Sequence, residues 1–156
     1  MSENPYVAPT TDVTIDSSVE PVYAGFWIRV GAAIIDTILI MIVILPVLIT
    51  IYGLAYFDST QIIAGAWDFV ISYIVPAVIV ITFWIYVSAT PGKMLLNIKI
   101  VDAKTGEQPS KGQFIGRYLG YYVSMIPLFL GIIWVGFDKR KQGWHDKLSG
   151  TVVVKN

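Results

Sequence analysis

The chain has 156 residues, 55% of them hydrophobic, with a mean hydropathy of +0.66 and 11 basic against 11 acidic side chains. Soluble domains carry about 45–50% apolar residues, and here the apolar residues fall in long blocks, so an integral membrane protein is expected. The absence of cysteine excludes a disulfide framework, a thiolate metal site and a thiol nucleophile.

Residues 1–22 hold Pro5, Pro9 and Pro21, four acids (Glu3, Asp12, Asp16, Glu20) and no Lys or Arg, a composition too polar to offset the entropy of ordering. They are expected to form a disordered acidic tail, followed by one transmembrane domain over residues 23–156. The amino end lacks a basic region followed by a short apolar one, so no cleaved signal is expected.

From Gly25 to Gly53 the sequence is almost continuous Ile, Leu, Val and Ala, long enough for the ~20 residues of a spanning helix. Pro46 should kink it, and Tyr23, Phe26 and Trp27 at one end and Tyr52, Tyr56 and Phe57 at the other suit the two interfaces. Arg29 and Asp36 lie inside this span, about 20° apart around the axis and roughly 10 Å along it, on one face. Trp67 to Ser88 reads as a second span, with Asp68 at its edge and Pro76 within.

Residues 54–66 contain no Lys or Arg, whereas Lys93, Lys99, Lys104 and Lys111 follow the second span. The positive-inside rule then predicts a cytoplasmic location for the amino terminus and for the loop after Ser88. In that loop Leu96-Asn97-Ile98-Lys99-Ile100 alternates like a strand, and Thr151-Val152-Val153-Val154 is equally strand-like. Neither is stable alone, so a small two-stranded β element is expected. The third apolar segment, about Gln113 to Phe137, is followed by Lys139, Arg140 and Lys141, which a single crossing would place outside. Pro127 and Gly131 favour a re-entrant hairpin; a segment of ~25 residues, rising nearly 38 Å as one helix, keeps a spanning alternative open. The fold class expected is therefore an all-α membrane protein with two transmembrane helices, a third re-entrant or spanning segment, and a cytoplasmic β pair.

An intramembrane Asp costs about 2.5–3.5 kcal/mol at a helix centre, which makes Asp36 the leading candidate for a proton or cation site. The alternative is a buried partner that fixes helix packing. Gly112, Gly116, Gly120 and Ser124 recur every four residues as a small-residue seam, which permits close helix approach. Arg117 within it reads either as a headgroup anchor or as a counter-ion to Asp36 or Asp68. Asp68 itself reads as interfacial. His145, the only histidine, has no second histidine with which to hold zinc; beside Asp146 it reads as a proton relay or as a hydrogen-bonded surface group.

The Arg and Asp of the first span, the run Thr90-Pro91-Gly92-Lys93-Met94-Leu95-Leu96-Asn97-Ile98-Lys99-Ile100-Val101-Asp102 and the closing Gln142-Gly143-Trp144-His145-Asp146-Lys147-Leu148-Ser149-Gly150-Thr151-Val152-Val153 together resemble the RDD family of small bacterial membrane proteins. The resemblance covers about residues 23–154, and the closing motif is its most specific part. The family is named for one arginine and two aspartates, which fall here on Arg29, Asp36 and Asp146. It implies sodium or proton antiport for some members. The expectation is therefore a multi-pass protein of the bacterial cytoplasmic membrane, acting in cation- or proton-coupled transport through Asp36, with a charge cluster of Arg29, Asp36 and Asp146. The rival is a packing or assembly protein in which that cluster is structural. Expected partners are the lipid bilayer, Na+ or H+, and a second copy or another membrane protein. No cofactor, nucleic acid or enzymatic reaction is expected.

Overall fold

The computed structural model describes residues 21–58 and 62–156, so most of the acidic tail expected over residues 1–22 lies outside the described residues. Phe26–Tyr52 forms one 27-residue helix, α1, about 40 Å long at the usual rise. It runs through Pro46, whose carbonyl accepts from the Thr50 hydroxyl at 2.7 Å. Gly53 ends it at φ 72°, a conformation glycine adopts without a Cβ penalty, and returns its N–H to the Ile49 carbonyl at 2.8 Å. After a short 3-10 turn, Leu54–Asp58, helix α2 covers Ala66–Val87. Its stretch Val70–Ile74 is wound as π-helix immediately before Pro76. Proline has no N–H for the Ser72 carbonyl and its ring crowds that group, and a wider turn relieves both. With mean hydropathies of 2.8 and 2.3, α1 and α2 are each long and apolar enough to cross a membrane.

At one end of these helices the polar part of the chain is gathered. Helix α3 (Pro91–Leu95) follows α2, and strand β1 (Ile98–Asp102) follows α3. Strand β2 (Thr151–Lys155) closes the chain and pairs with β1 antiparallel, Ile98 opposite Lys155 and Asp102 opposite Thr151. Tyr23 bridges Val154 on the other side of β2, with the Ala24 amide donating to the Val153 carbonyl at 2.9 Å and the Lys155 amide to the Val22 carbonyl at 2.8 Å. The chain entering α1, the chain leaving α2 and the chain end are thus one hydrogen-bonded layer. Its apolar face, Ile98, Ile100 and Val153, packs with Ala24, Ala32, Trp84 and Phe114 into the principal core.

The third apolar segment is not a straight helix. Helix α4 (Lys111–Met125) starts in a capping box, the Ser110 hydroxyl accepting from the Gln113 amide while the Gln113 side chain accepts from the Ser110 amide. Helix α5 (Leu130–Ile133), extended by one 3-10 turn to Gly136, leaves α4 at 115°. Pro127 sits in the break, and Leu128 and Phe129 adopt left-handed φ of 51° and 63°. Helix α6 (Trp144–Ser149) then packs across α4.

That crossing corrects the expected small-residue seam. A Cβ at Gly120 would lie 2.9 Å from His145 Cα, and one at Gly131 would lie 2.7 Å from Ser124 Cα, whereas Gly116 has nothing within 4 Å and Gly112 only the Ser110 hydroxyl at 3.9 Å. The seam is close-packed within the chain at its carboxyl half alone, because only there does a second segment cross. Gly120→Leu should therefore lower stability by at least the ~1–3 kcal/mol of an overpacked contact, and Gly116→Leu should leave it nearly unchanged. Thermal unfolding of both variants in detergent measures the difference.

Candidate functional site

The polar end of the bundle is organised around Asp146. This residue is the third position of α6, where its carboxylate reaches back to the Gly143 amide at 2.8 Å and satisfies a donor the helix cannot. The same carboxylate is fully buried and carries two ion pairs. Oδ2 meets Arg29 Nη1 at 2.6 Å, and Oδ1 meets Arg117 Nη1. Arg29 comes from the first turn of α1 and is fixed by two further bonds, Nε to the Ala24 carbonyl at 2.9 Å and Nη2 to the Lys141 carbonyl at 2.5 Å. Arg117 comes from the middle of α4, is fully buried, and donates also to the Thr151 hydroxyl at 2.6 Å. Burial raises the Asp146 carboxyl, but Arg117 and Arg29, with His145 and the Gly143 amide, outweigh it and hold the group below the usual carboxylate range.

Of the three residues expected in one cluster, Arg29 and Asp146 meet and Asp36 does not join them. Two turns further into α1, the Asp36 carboxylate accepts from the Thr90 hydroxyl at 2.5 Å and from the Gly92 amide at 2.7 Å. It caps α3 and fastens that helix to α1, where a Cβ on Gly92 would overlap the Ala32 carbonyl. Arg117 takes the place expected of Asp36: its carboxylate partner is Asp146, neither Asp36 nor Asp68. Asp68 lies at the opposite end, almost completely buried, accepting from Tyr56 Oη, Ser72 Oγ and the Ala64 amide, each at 2.8 Å. It ties the turn after α1 to the start of α2.

His145 is buried. Its ring stacks on Tyr121 with centroids 4.0 Å apart, and its Nε2 lies 3.6 Å from Asp146 Oδ2, too far for a hydrogen bond. Lys93, read from sequence only as loop charge, is 8% exposed with Nζ 5.1 Å from the centre of the Trp84 ring. Burial, reinforced by Arg117 and Arg29 and opposed by Asp36 and Asp146, pushes its ammonium down to about 7. Its place in the Thr90-Pro91-Gly92-Lys93 run was the one available signal. Lys93, Asp36, Arg29 and Arg117 line a common cavity of about 320 Å³ with Trp84, Thr90 and Tyr121. Among the described residues, no three His, Cys, Asp or Glu side chains stand close enough to hold a metal ion.

The buried imidazole makes stability depend on pH. Burial, helped by Arg117, Arg29 and Lys93 and opposed by Asp146, lowers His145 from 6.5 to about 3. Between those values the unfolded chain binds a proton that the native state does not, so stability falls as pH drops through this window. The unfolding midpoint in detergent should decline from pH 7 to pH 4. His145→Gln should flatten that slope even though it loses the stacking on Tyr121.

The sequence pattern of the RDD family matches residues 23–150. The uncharacterized protein YxaI of Bacillus subtilis is 32% identical over 154 residues, covering 84% of this chain and 96% of its own length. The uncharacterized membrane protein YteJ of the same organism is 26% identical over 137 residues, 85% of this chain and 80% of that one. The uncharacterized protein RP437 of Rickettsia prowazekii is 45% identical over 76 residues, 49% of this chain, and the match spans 42% of that protein. No solved structure matches significantly. The family pattern runs from the strand-like Tyr23 through both apolar helices to the Asp146 helix, and this membrane protein belongs to the RDD family.

Proposed function

We propose that this protein is a multi-pass packing or assembly protein of the bacterial cytoplasmic membrane, in which Arg29, Asp146 and Arg117 form a structural latch. The observation that carries this reading is the enclosure of Asp146: its carboxylate is fully buried, accepts from two guanidiniums and a backbone amide, and leaves no face for an exchangeable cation. No catalytic step is assigned to it. Removing one member of such a pair costs about 3–5 kcal/mol, because the remaining charge stays buried without its partner. Asp146→Asn and Arg29→Gln should each lower stability on that scale, while Asp36→Asn, which keeps an oxygen for the Gly92 amide and turns its NH2 to the Thr90 hydroxyl, should cost about 1 kcal/mol.

A second reading, cation- or proton-coupled transport, is favoured by one feature, the shared cavity that Asp36 and Lys93 line. Reconstituted protein under a sodium or pH gradient separates the two. The latch reading expects flux no greater than in empty liposomes. Coupled flux that Asp36→Asn abolishes in a stably folded protein would replace it with transport.

The same layer supports a proposed membrane orientation. Residues 22–24, β1 and β2 are hydrogen-bonded together, so the start of α1, the end of α2 and both flanks of the bent third segment belong on one side. Lys93, Lys99, Lys104 and Lys111 favour the cytoplasm for that side by the positive-inside rule, and the 115° bend is compatible with a re-entrant hairpin. The chain has no cysteine, so single substitutions report location cleanly. In intact cells an impermeant thiol reagent should label Ile62→Cys, and should label Ser110→Cys and Lys155→Cys only after permeabilisation.

A further inference from the structure

The latch leaves donors without acceptors. Arg117 uses Nη1 for Asp146 and Thr151, while its Nε and Nη2, together with Trp84 Nε1, are buried and have no hydrogen-bond partner among the described residues. Arg117 is 0% exposed and Trp84 2%. Both line the cavity of about 320 Å³, and so does Lys93. These groups stand around one ring, the Arg117 guanidinium 5.6 Å and Lys93 Nζ 5.1 Å from the Trp84 centre.

Guanidinium, ammonium and indole N–H groups donate and cannot accept, so they cannot coordinate a cation. The charge points the same way. Arg29, Arg117 and Lys93 stand against Asp36 and Asp146, an excess of one positive charge when Lys93 is protonated, and both Asp36 oxygens are already engaged by Thr90 and Gly92. Ordered water would satisfy the donors without neutralising that excess.

From this donor set and cavity we infer that the space between α1, α2 and α4 is a binding site for a phosphate-type oxyanion, held by Arg117 Nε and Nη2, Trp84 Nε1 and Lys93 Nζ. Two sources share this chemistry, a phospholipid headgroup and free phosphate. The cavity lining also includes Ile40, Val80 and Met125, apolar side chains suited to the first carbon atoms of an acyl chain.

The test is thermal unfolding of the full chain in a phosphate-free maltoside detergent, titrated with short-chain phosphatidylglycerol, with the matching diacylglycerol, and with inorganic phosphate against chloride at equal ionic strength. Lys93→Gln and Trp84→Phe are the variants, since neither belongs to the latch and Trp84→Phe keeps a ring while deleting the N–H. A saturable rise with phosphatidylglycerol but not diacylglycerol, weakened about tenfold in each variant, is the result expected for a lipid phosphate. The same pattern with inorganic phosphate alone assigns the site to the free anion. No saturable response to either, or responses unchanged in both variants, overturns the inference and leaves water as the occupant. Because the readout is binding and the variants lie outside the Asp146 pairs, failure here is distinct from failure of the latch.

Discussion

The structure depends on one carboxylate shared by two guanidiniums. Asp146, Arg29 and Arg117 come from α6, α1 and α4, far apart in sequence, and each would be costly to bury alone. Brought together they satisfy one another, and the surrounding bonds to Ala24, Lys141, Gly143 and Thr151 hold the heads in place. A pair this buried contributes less net stability than its count of bonds suggests, because desolvation offsets much of the attraction. Its stronger consequence is specificity: any other arrangement of these segments strands a charge.

The latch also explains why the third apolar segment turns back. Arg117 is fixed in the middle of α4 and Asp146 at the start of α6, so the chain between them must leave and return to the same level. Pro127 and the left-handed Leu128 and Phe129 make that turn, at 115°, and Gly131 and Gly120 let the returning segments approach Ser124 and His145 closely. The β1–β2 pairing demands the same return independently, since its strands flank this segment. Two constraints of different chemistry, an ion pair and a backbone ladder, thus agree on one geometry.

Asp36, half-buried, and Asp68, buried, are handled alike at the two ends. Each is satisfied by hydroxyl and amide donors without a cationic partner, and each fastens a turn to a helix. The positive charges around the cavity outnumber the negative ones, and Arg117 and Trp84, whose buried donors lack partners among the described residues, are among its lining residues.

Local chemistry carried much of this protein in its sequence. Continuous apolar runs define α1 and α2 because a spanning helix must be apolar along its whole length, and alternation with β-branched residues marks β1 and β2 as strands that need each other. Pro127 signalled the break in the third segment, and the closing motif led to the family. What only the tertiary structure decided is which charges meet. Periodicity put Arg29 and Asp36 on one face, yet pairing is set by which segments the fold brings to α1: α6 carries Asp146 to Arg29, and α3 carries Thr90 and Gly92 to Asp36. The burial of Lys93 and the orphaned donors of Arg117 and Trp84 likewise depend on long-range packing. A side chain's charge is written at its own position, whereas its desolvation and its partner are properties of segments that the fold alone brings together.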